Sequence, residues 1–273
     1  MKQRLTDCLR EHVARGVALA FSGGVDSTVL LHALLRLREE AGECPLVAYY
    51  FHTPLHTEEE TQEALRTARE AGAELEEMRF DPLQLPALRH NPQDRCYHCK
   101  GHIFRHMKEA AQARGLHAIM DGTNADDHRQ YRPGLRALRE LGVVSPLAEA
   151  GLCKADVRRL AAEWGLPCSA KPSAPCLATR FDYGAELRPE SIRRVEAGEA
   201  VLHRIFPGQA VRLRVHGERQ DLARLELPPA LMPRALEHAA ELLRELRALG
   251  YHHITLDLQG FRSGSMDEQL FTP

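Results

Sequence analysis

The string Ser22-Gly-Gly-Val-Asp-Ser27 constrains this chain more than any other feature. In front of it stands Gly16-Val-Ala-Leu-Ala-Phe21, a nearly continuous apolar run, and behind it residues 28–40 resume a helical spacing. An apolar run without alternation is a strand buried on both faces, the habit of parallel sheets. Two glycines let the backbone turn sharply and aim several N–H groups at one point, and the helix mouth adds positive potential. Ser22 and Ser27 contribute hydroxyl donors. The loop therefore predicts a phosphate cradle formed by Ser22, Gly23, Gly24, Asp26 and Ser27. No Lys stands where a Walker loop carries one. The competing reading is a plain strand–helix turn with Asp26 or Ser27 as its cap.

The same alternation continues downstream. A helix with apolar positions Leu5, Leu9 and Val13 opens the chain. Strands are expected at 46–51, 74–80 and 117–121, with helices at 58–71, 97–114 and 154–164. This order predicts an α/β fold, a doubly wound, mostly parallel sheet with helices on both faces and ligands at the carboxyl ends of its strands. Residues 167–184, rich in Pro, Ser and Cys, read as a long loop, and loops of that length are often functional. The pattern then changes: a helix at 189–205, a strand at 210–215, a long amphipathic helix at 229–249 and an alternating strand at 253–258. The expectation is a first domain over 1–184 and a smaller α+β domain over 185–273, serving substrate binding or oligomerisation.

Composition narrows the function classes. Charged residues make up 27% and the formal net charge is -2, so no basic excess advertises nucleic acid as a partner. The charged N-terminus leaves no room for a secretory leader, and no run reaches the ~18–20 apolar residues of a membrane helix. A cytoplasmic location without membrane attachment is expected. Seven cysteines in such a chain point to metal, cluster or catalytic roles before disulfides.

Asp121-Gly-Thr-Asn-Ala-Asp-Asp127 follows a predicted strand and should lie beside the first loop. Gly122, Thr123 and Asn124 are candidate nucleotide contacts, and Asp126 and Asp127 candidate Mg²⁺ ligands. Equally, Thr123 and Asn124 can cap a helix whose first turn carries two solvated acids. Arg95-Cys-Tyr-His-Cys-Lys100 holds a C-x-x-C pair, Cys96 and Cys99, and Cys176 lies in a Pro-rich segment. The pair has three readings: half a zinc site, completed by His98 or Cys168, a redox pair, or two ligands of an iron–sulfur cluster. A three-cysteine 4Fe–4S cluster leaves one iron open to carry a sulfide. Cys8, Cys44, Cys153 and Cys168 have no paired spacing and read as buried or incidental thiols. Arg212 and Arg214 alternate with apolar residues, share one strand face and can converge on one anion, with a water-facing sheet surface as the alternative. Arg180, four residues after Cys176, is a further anion-binding candidate. Arg262-Ser-Gly-Ser265 reads as another phosphate cradle or a simple turn.

These strings together resemble a known family. Ser22–Ser27 matches the signature of PP-loop ATP pyrophosphatases, which split ATP between the α and β phosphates. Residues 95–100, 121–127, 145–151, 171–180 and 261–266 look like the LarE family, the sulfur transferases of nickel-pincer nucleotide synthesis for lactate racemase. The resemblance spans nearly the whole chain. It implies that ATP, with Mg²⁺, adenylates each carboxylate of pyridinium-3,5-biscarboxylic acid mononucleotide, which is then converted to a thiocarboxylate. It also implies pathway partners that make the precursor and insert nickel, and a homo-oligomer. Cys176 occupies the position of the family's sulfur-handling cysteine, which in single-cysteine members gives up its own sulfur and becomes dehydroalanine. Cys96 and Cys99 are the pattern of members resembling cluster-dependent thiolases, so a catalytic, cluster-using type with ligands Cys96, Cys99 and Cys176 is implied. Thr179, where a Ser is common, and Ser173-Ala-Pro175 depart from the family pattern. Competing readings are a PP-loop tRNA thiolase, an NAD-synthetase-like amide ligase and, from another class, an ATP sensor without turnover.

Overall fold

The computed structural model describes residues 1–42, 44–129, 132–172, 174–262 and 264–268. The chain divides into two compact units, one formed by Met1–Pro82 and Asp94–Ala174, the other by Leu83–Gln93 and Pro175–Pro273.

The first unit runs α1 (Lys2–Val13), β1 (Val17–Ala20), α2 (Val25–Ala41), β2 (Leu46–His52), α3 (Glu58–Glu70) and β3 (Glu74–Arg79). It continues through α4 (Arg95–Ala113), β4 (Ala118–Met120), α5 (Gly134–Glu140), α6 (Pro146–Glu149) and α7 (Lys154–Glu163). Its four strands pair in the order β3-β2-β1-β4, every pairing parallel. The fold is the expected α/β, helix-covered parallel sheet. β1 sits in the interior of the sheet, and Val17, Ala18 and Leu19 are wholly buried, which is why this strand shows no alternation. Leu5, Leu9 and Val13 of α1 face the core at helical spacing. α3 begins at a capping box in which the Thr57 hydroxyl accepts from the Glu60 N–H and the Glu60 carboxylate accepts from the Thr57 N–H. Because β1 lies between β2 and β4, the loops after β1 and β4 leave the same edge of the sheet side by side.

The second unit contains α8 (Pro189–Ile205), β5 (Arg212–His216), β6 (Leu222–Glu226), α9 (Met232–Glu237), α10 (Ala239–Ala248) and β7 (His253–Leu256). β5 and β6 are antiparallel, and β6 and β7 parallel. α8 packs so closely on β5 that a Cβ at Gly198 would stand 2.5 Å from Leu213 Cδ1. Residues 83–93 belong here through Asn91, which is fully buried at φ 42 and whose side-chain amide donates to the carbonyls of Ala178, Phe181 and Asp182. Asn tolerates this left-handed backbone better than most residues. Residues 175–184, read from sequence with the first domain, group with this unit. The expected long helix at 229–249 is two helices meeting at His238. Among the described residues, no helix is long and apolar enough to cross a membrane.

Candidate functional site

In the first unit, Ser22–Ser27 joins β1 to α2 as a tight, internally bonded loop. Ser27 Oγ accepts from the Ser22 N–H (3.3 Å), lies 3.2 Å from Ser22 Oγ and donates to the Gly24 carbonyl (3.1 Å). Gly23 has φ 70, and a Cβ there would sit 2.5 Å from Ala64 Cβ, so this glycine is demanded twice over. The first intrahelical bond of α2 runs from the Thr28 N–H to the Gly24 carbonyl, so the N–H groups of Val25, Asp26 and Ser27 precede the helix's own bonding pattern. That is the arrangement that receives phosphate oxygens.

The loop after β4 touches it. A Cβ at Gly122 would meet the Ser27 nitrogen at 3.0 Å, so a larger residue would push the two loops apart. The Asn124 side-chain amide donates to Asp26 Oδ1 at 3.2 Å. Thr123 turns inward, its hydroxyl donating to Asp121 Oδ2 (2.6 Å), while Ser145 donates to Oδ1 of the same carboxylate (2.7 Å) and Lys100 pairs with it at 3.4 Å. Asp126 accepts the backbone N–H of Lys154 at 2.9 Å, and Asp127 accepts the Asn124 N–H at 3.0 Å and pairs with Arg132 at 2.9 Å. Both candidate magnesium ligands thus accept backbone N–H groups, as helix and turn caps do. Lys154, which sequence reading did not single out, opens α7 and forms an ion pair with Asp26.

Cys96 and Cys99 lie near the start of α4, three residues apart, and both are partly exposed. None of the seven cysteines is in a disulfide; Cys44 and Cys168 are buried, and burial pushes both thiols up. Among the described residues, no three or more His, Cys, Asp or Glu side chains gather as a metal-holding group. Thiolates are the usual ligands of iron–sulfur clusters, and Cys96, Cys99 and Cys176 are each half-buried and outside disulfides.

In the second unit, Cys176 opens a 3₁₀ turn, Leu177–Arg180, and its carbonyl accepts from the Thr179 N–H (3.0 Å) and hydroxyl (2.9 Å). Ser173, just before it, lies outside the described residues. The turn is clamped from β5 and α8. Arg180 makes a two-pronged, buried bond to Glu199 (2.7 and 2.9 Å), and Arg214 donates to the Thr179 carbonyl. Arg214 also pairs with Glu226 at 3.0 Å and donates to Ser265 Oγ at 2.7 Å. Ser263 of the expected C-terminal cradle is likewise outside the described residues, and Arg262 pairs with Glu268.

Arg212 is different. It is 6% exposed, and its guanidinium lies 4.6 Å over the Phe261 ring. Among the described residues, no carboxylate comes within ion-pair distance of it. Burial, followed by the charges of Arg180 and Arg214, brings it down to about 10, still a cation near neutrality. The water-facing alternative for this strand is excluded, since both arginines are buried. Of the three anion-binding candidates, Arg180 and Arg214 are already neutralised by Glu199 and Glu226, and Arg212 carries the surplus positive charge.

Comparisons with known proteins agree with this geometry. A family model described as a PP-loop domain matches residues 1–85, which include the loop, β1 and α2. The chain is 37% identical, over 93% of its length and 90% of the relative's, to the pyridinium-3,5-bisthiocarboxylic acid mononucleotide synthase of Lactiplantibacillus plantarum. It is 36% identical over 92% of both chains to an uncharacterized protein of Synechocystis. An uncharacterized protein of Methanocaldococcus jannaschii is 28% identical over 90% of this chain and 91% of its own. With a PP-loop domain at its N-terminal end and this likeness along almost its entire length, the chain belongs to the LarE family.

Proposed function

We propose that this protein is an ATP-dependent sulfur transferase that adenylates the carboxylates of pyridinium-3,5-biscarboxylic acid mononucleotide and converts them to thiocarboxylates. The observation that carries the reading is Arg212, a buried guanidinium with no carboxylate at ion-pair distance among the described residues, beside the clamped turn that begins at Cys176. A burial site for uncompensated positive charge is costly unless an anion completes it. A nucleotide bearing a phosphate and two carboxylates supplies one.

The chemistry divides between the two units. At the Ser22–Ser27 loop, ATP is held by N–H groups at the α2 mouth and by the Ser22 and Ser27 hydroxyls. A substrate carboxylate oxygen attacks the α-phosphorus, the bond to the bridging oxygen breaks, and pyrophosphate leaves with that electron pair. A carboxylate oxygen is a poor leaving group; in the acyl-adenylate it departs as AMP when sulfur attacks the carbonyl carbon. Cys176 is the sulfur-handling residue. Cys96, Cys99 and Cys176 are the proposed ligands of a 4Fe–4S cluster, which, when bound, supplies sulfide from outside the chain in place of the thiol's own sulfur. No step here depends on a magnesium position.

The discriminating experiment is pyrophosphate release with and without the biscarboxylated nucleotide. Release that requires the nucleotide and is lost in Arg212→Ala supports the reading. Nucleotide-independent ATP binding without release would make the protein an ATP sensor.

A further inference from the structure

Phosphate loops of the Walker type carry a lysine of their own, and Ser22–Ser27 has none. The chain brings one from elsewhere. Lys154 is the first residue of α7, and its ammonium is ion-paired with Oδ2 of Asp26, in the first turn of α2. Its position is fixed at both ends, because its backbone N–H donates to Asp126 Oδ2 at 2.9 Å. The other oxygen of Asp26 takes the Asn124 amide at 3.2 Å, and Asn124 Oδ1 accepts the Asp126 N–H at 3.0 Å. The four residues close a ring across the two strand-end loops. An ordinary surface pair holds two long side chains loosely; this lysine is held from backbone to tip.

An ammonium has three donors, and Asp26 is the one acceptor found for it among the described residues. The side chain is 30% exposed, so phosphate oxygens at the α2 mouth can reach it. We infer that Lys154 is the cation of this phosphate loop, binding the β and γ phosphates of ATP and the pyrophosphate that leaves. The inference rests on the ATP-cleaving reading. When the α-phosphorus bond breaks, negative charge grows on the departing pyrophosphate, and a fixed ammonium stabilises that charge without reorganisation. AMP, which lacks those phosphates, gains nothing from it.

The test is calorimetric titration of the full chain with ATP, inorganic pyrophosphate and AMP, for wild type, Lys154→Met, Lys154→Arg and Asp26→Asn. The expected result is a loss of at least about tenfold in ATP and pyrophosphate affinity for Lys154→Met, as for a charge-assisted bond removed. AMP affinity should change less than about twofold, and Lys154→Arg should recover most of the loss. Asp26→Asn releases the ammonium and removes a negative charge, so pyrophosphate should bind at least as tightly as to wild type. Parallel losses of pyrophosphate affinity in Lys154→Met and Asp26→Asn would mean that Lys154 only props Asp26, and would overturn the inference. Unchanged pyrophosphate affinity in Lys154→Met, or an equal loss of AMP, would also overturn it. Wild-type protein that binds ATP no better than AMP would instead sink the ATP-cleaving reading beneath it.

Discussion

Arg214 Nε donates to Glu226 Oε1 at 3.0 Å, with Arg214 2% exposed and Glu226 wholly buried. This pair, set across the β5–β6 ladder, balances the charge of Arg214, and in the proposed function Arg212 is then the cation offered to the substrate. The two arginines, alternate residues of one strand, should therefore fail in different ways. Arg212→Ala should weaken nucleotide-acid binding by ~1.5–3 kcal/mol, the worth of a bond to a charged group, with little change in thermal stability. Arg214→Ala removes the nearest cation from the wholly buried Glu226, leaving it Ser265 Oγ at 3.0 Å and the more distant Arg224 at 3.5 Å, and should cost ~3 kcal/mol of stability. Calorimetric titration and thermal unfolding on both variants separate the two outcomes. Equal stability losses would contradict the assignment.

The phosphate loop offers a second contrast. Gly23→Ala must place a methyl 2.5 Å from Ala64 Cβ at a positive φ, so it should destabilise the first unit by ~1–3 kcal/mol and abolish pyrophosphate release. Ser27→Ala removes one hydroxyl bonded within the loop and should cost only ~1 kcal/mol of stability while still eliminating release. Denaturant unfolding alongside a pyrophosphate assay checks both. Wild-type turnover in Ser27→Ala would return the loop to a plain turn.

Acid sensitivity should come in part from two histidines of the first unit. Burial lowers His32, helped by the charge of Arg36, and burial lowers His56 against an opposing pull from Glu60. Each is held neutral in the folded chain, whereas the unfolded chain takes up a proton near pH ~6.5. Their contribution to stability is thus complete above that pH and is lost as pH falls through it toward the lowered folded values. Unfolding midpoints between about pH 5 and pH 8 should fall on the acid side, and His32→Asn with His56→Asn should flatten that slope. An unchanged slope in the double variant would refute this origin.

The source of sulfur can be read from mass. With a cluster on Cys96, Cys99 and Cys176, anaerobically reconstituted protein should hold about four irons per chain, and Ser at any of the three positions should destroy it. Turnover should be multiple when sulfide is supplied, with Cys176 intact. If Cys176 gives up its own sulfur, the spent chain should be lighter by about 34 Da, one hydrogen sulfide, and activity should survive Cys96→Ser. Intact-protein mass spectrometry after turnover decides between them.

Much of the first unit was legible because local patterns carried it: the unbroken apolar β1, the 5-9-13 stripe of α1, and a glycine turn set between an apolar strand and a helical pattern. What escaped was set by partners distant in the chain. Lys154 is 128 residues from Asp26, and nothing at the start of α7 marks it as a loop residue. Alternation put Arg212 and Arg214 on one face, but their difference comes from Glu226, on a strand, Leu222-Ala-Arg-Leu-Glu226, whose two charges, Arg224 half-buried and Glu226 buried, hid it as a strand. Asp126 and Asp127 stand out in sequence only as candidate magnesium ligands; their bonds to the Lys154 and Asn124 N–H groups are set by the fold. The break at His238 likewise lies in an amphipathic pattern that continues on both sides of it.

The most direct measurement is the product balance of a single reaction. Protein, ATP and pyridinium-3,5-biscarboxylic acid mononucleotide are incubated anaerobically with sulfide, and nucleotides and products are quantified by liquid chromatography and mass spectrometry. The expected result is one AMP and one pyrophosphate for each carboxylate oxygen replaced by sulfur, and none of these products without the mononucleotide. ADP and orthophosphate in their place, or ATP cleavage with no sulfur in the mononucleotide, would contradict the proposed chemistry.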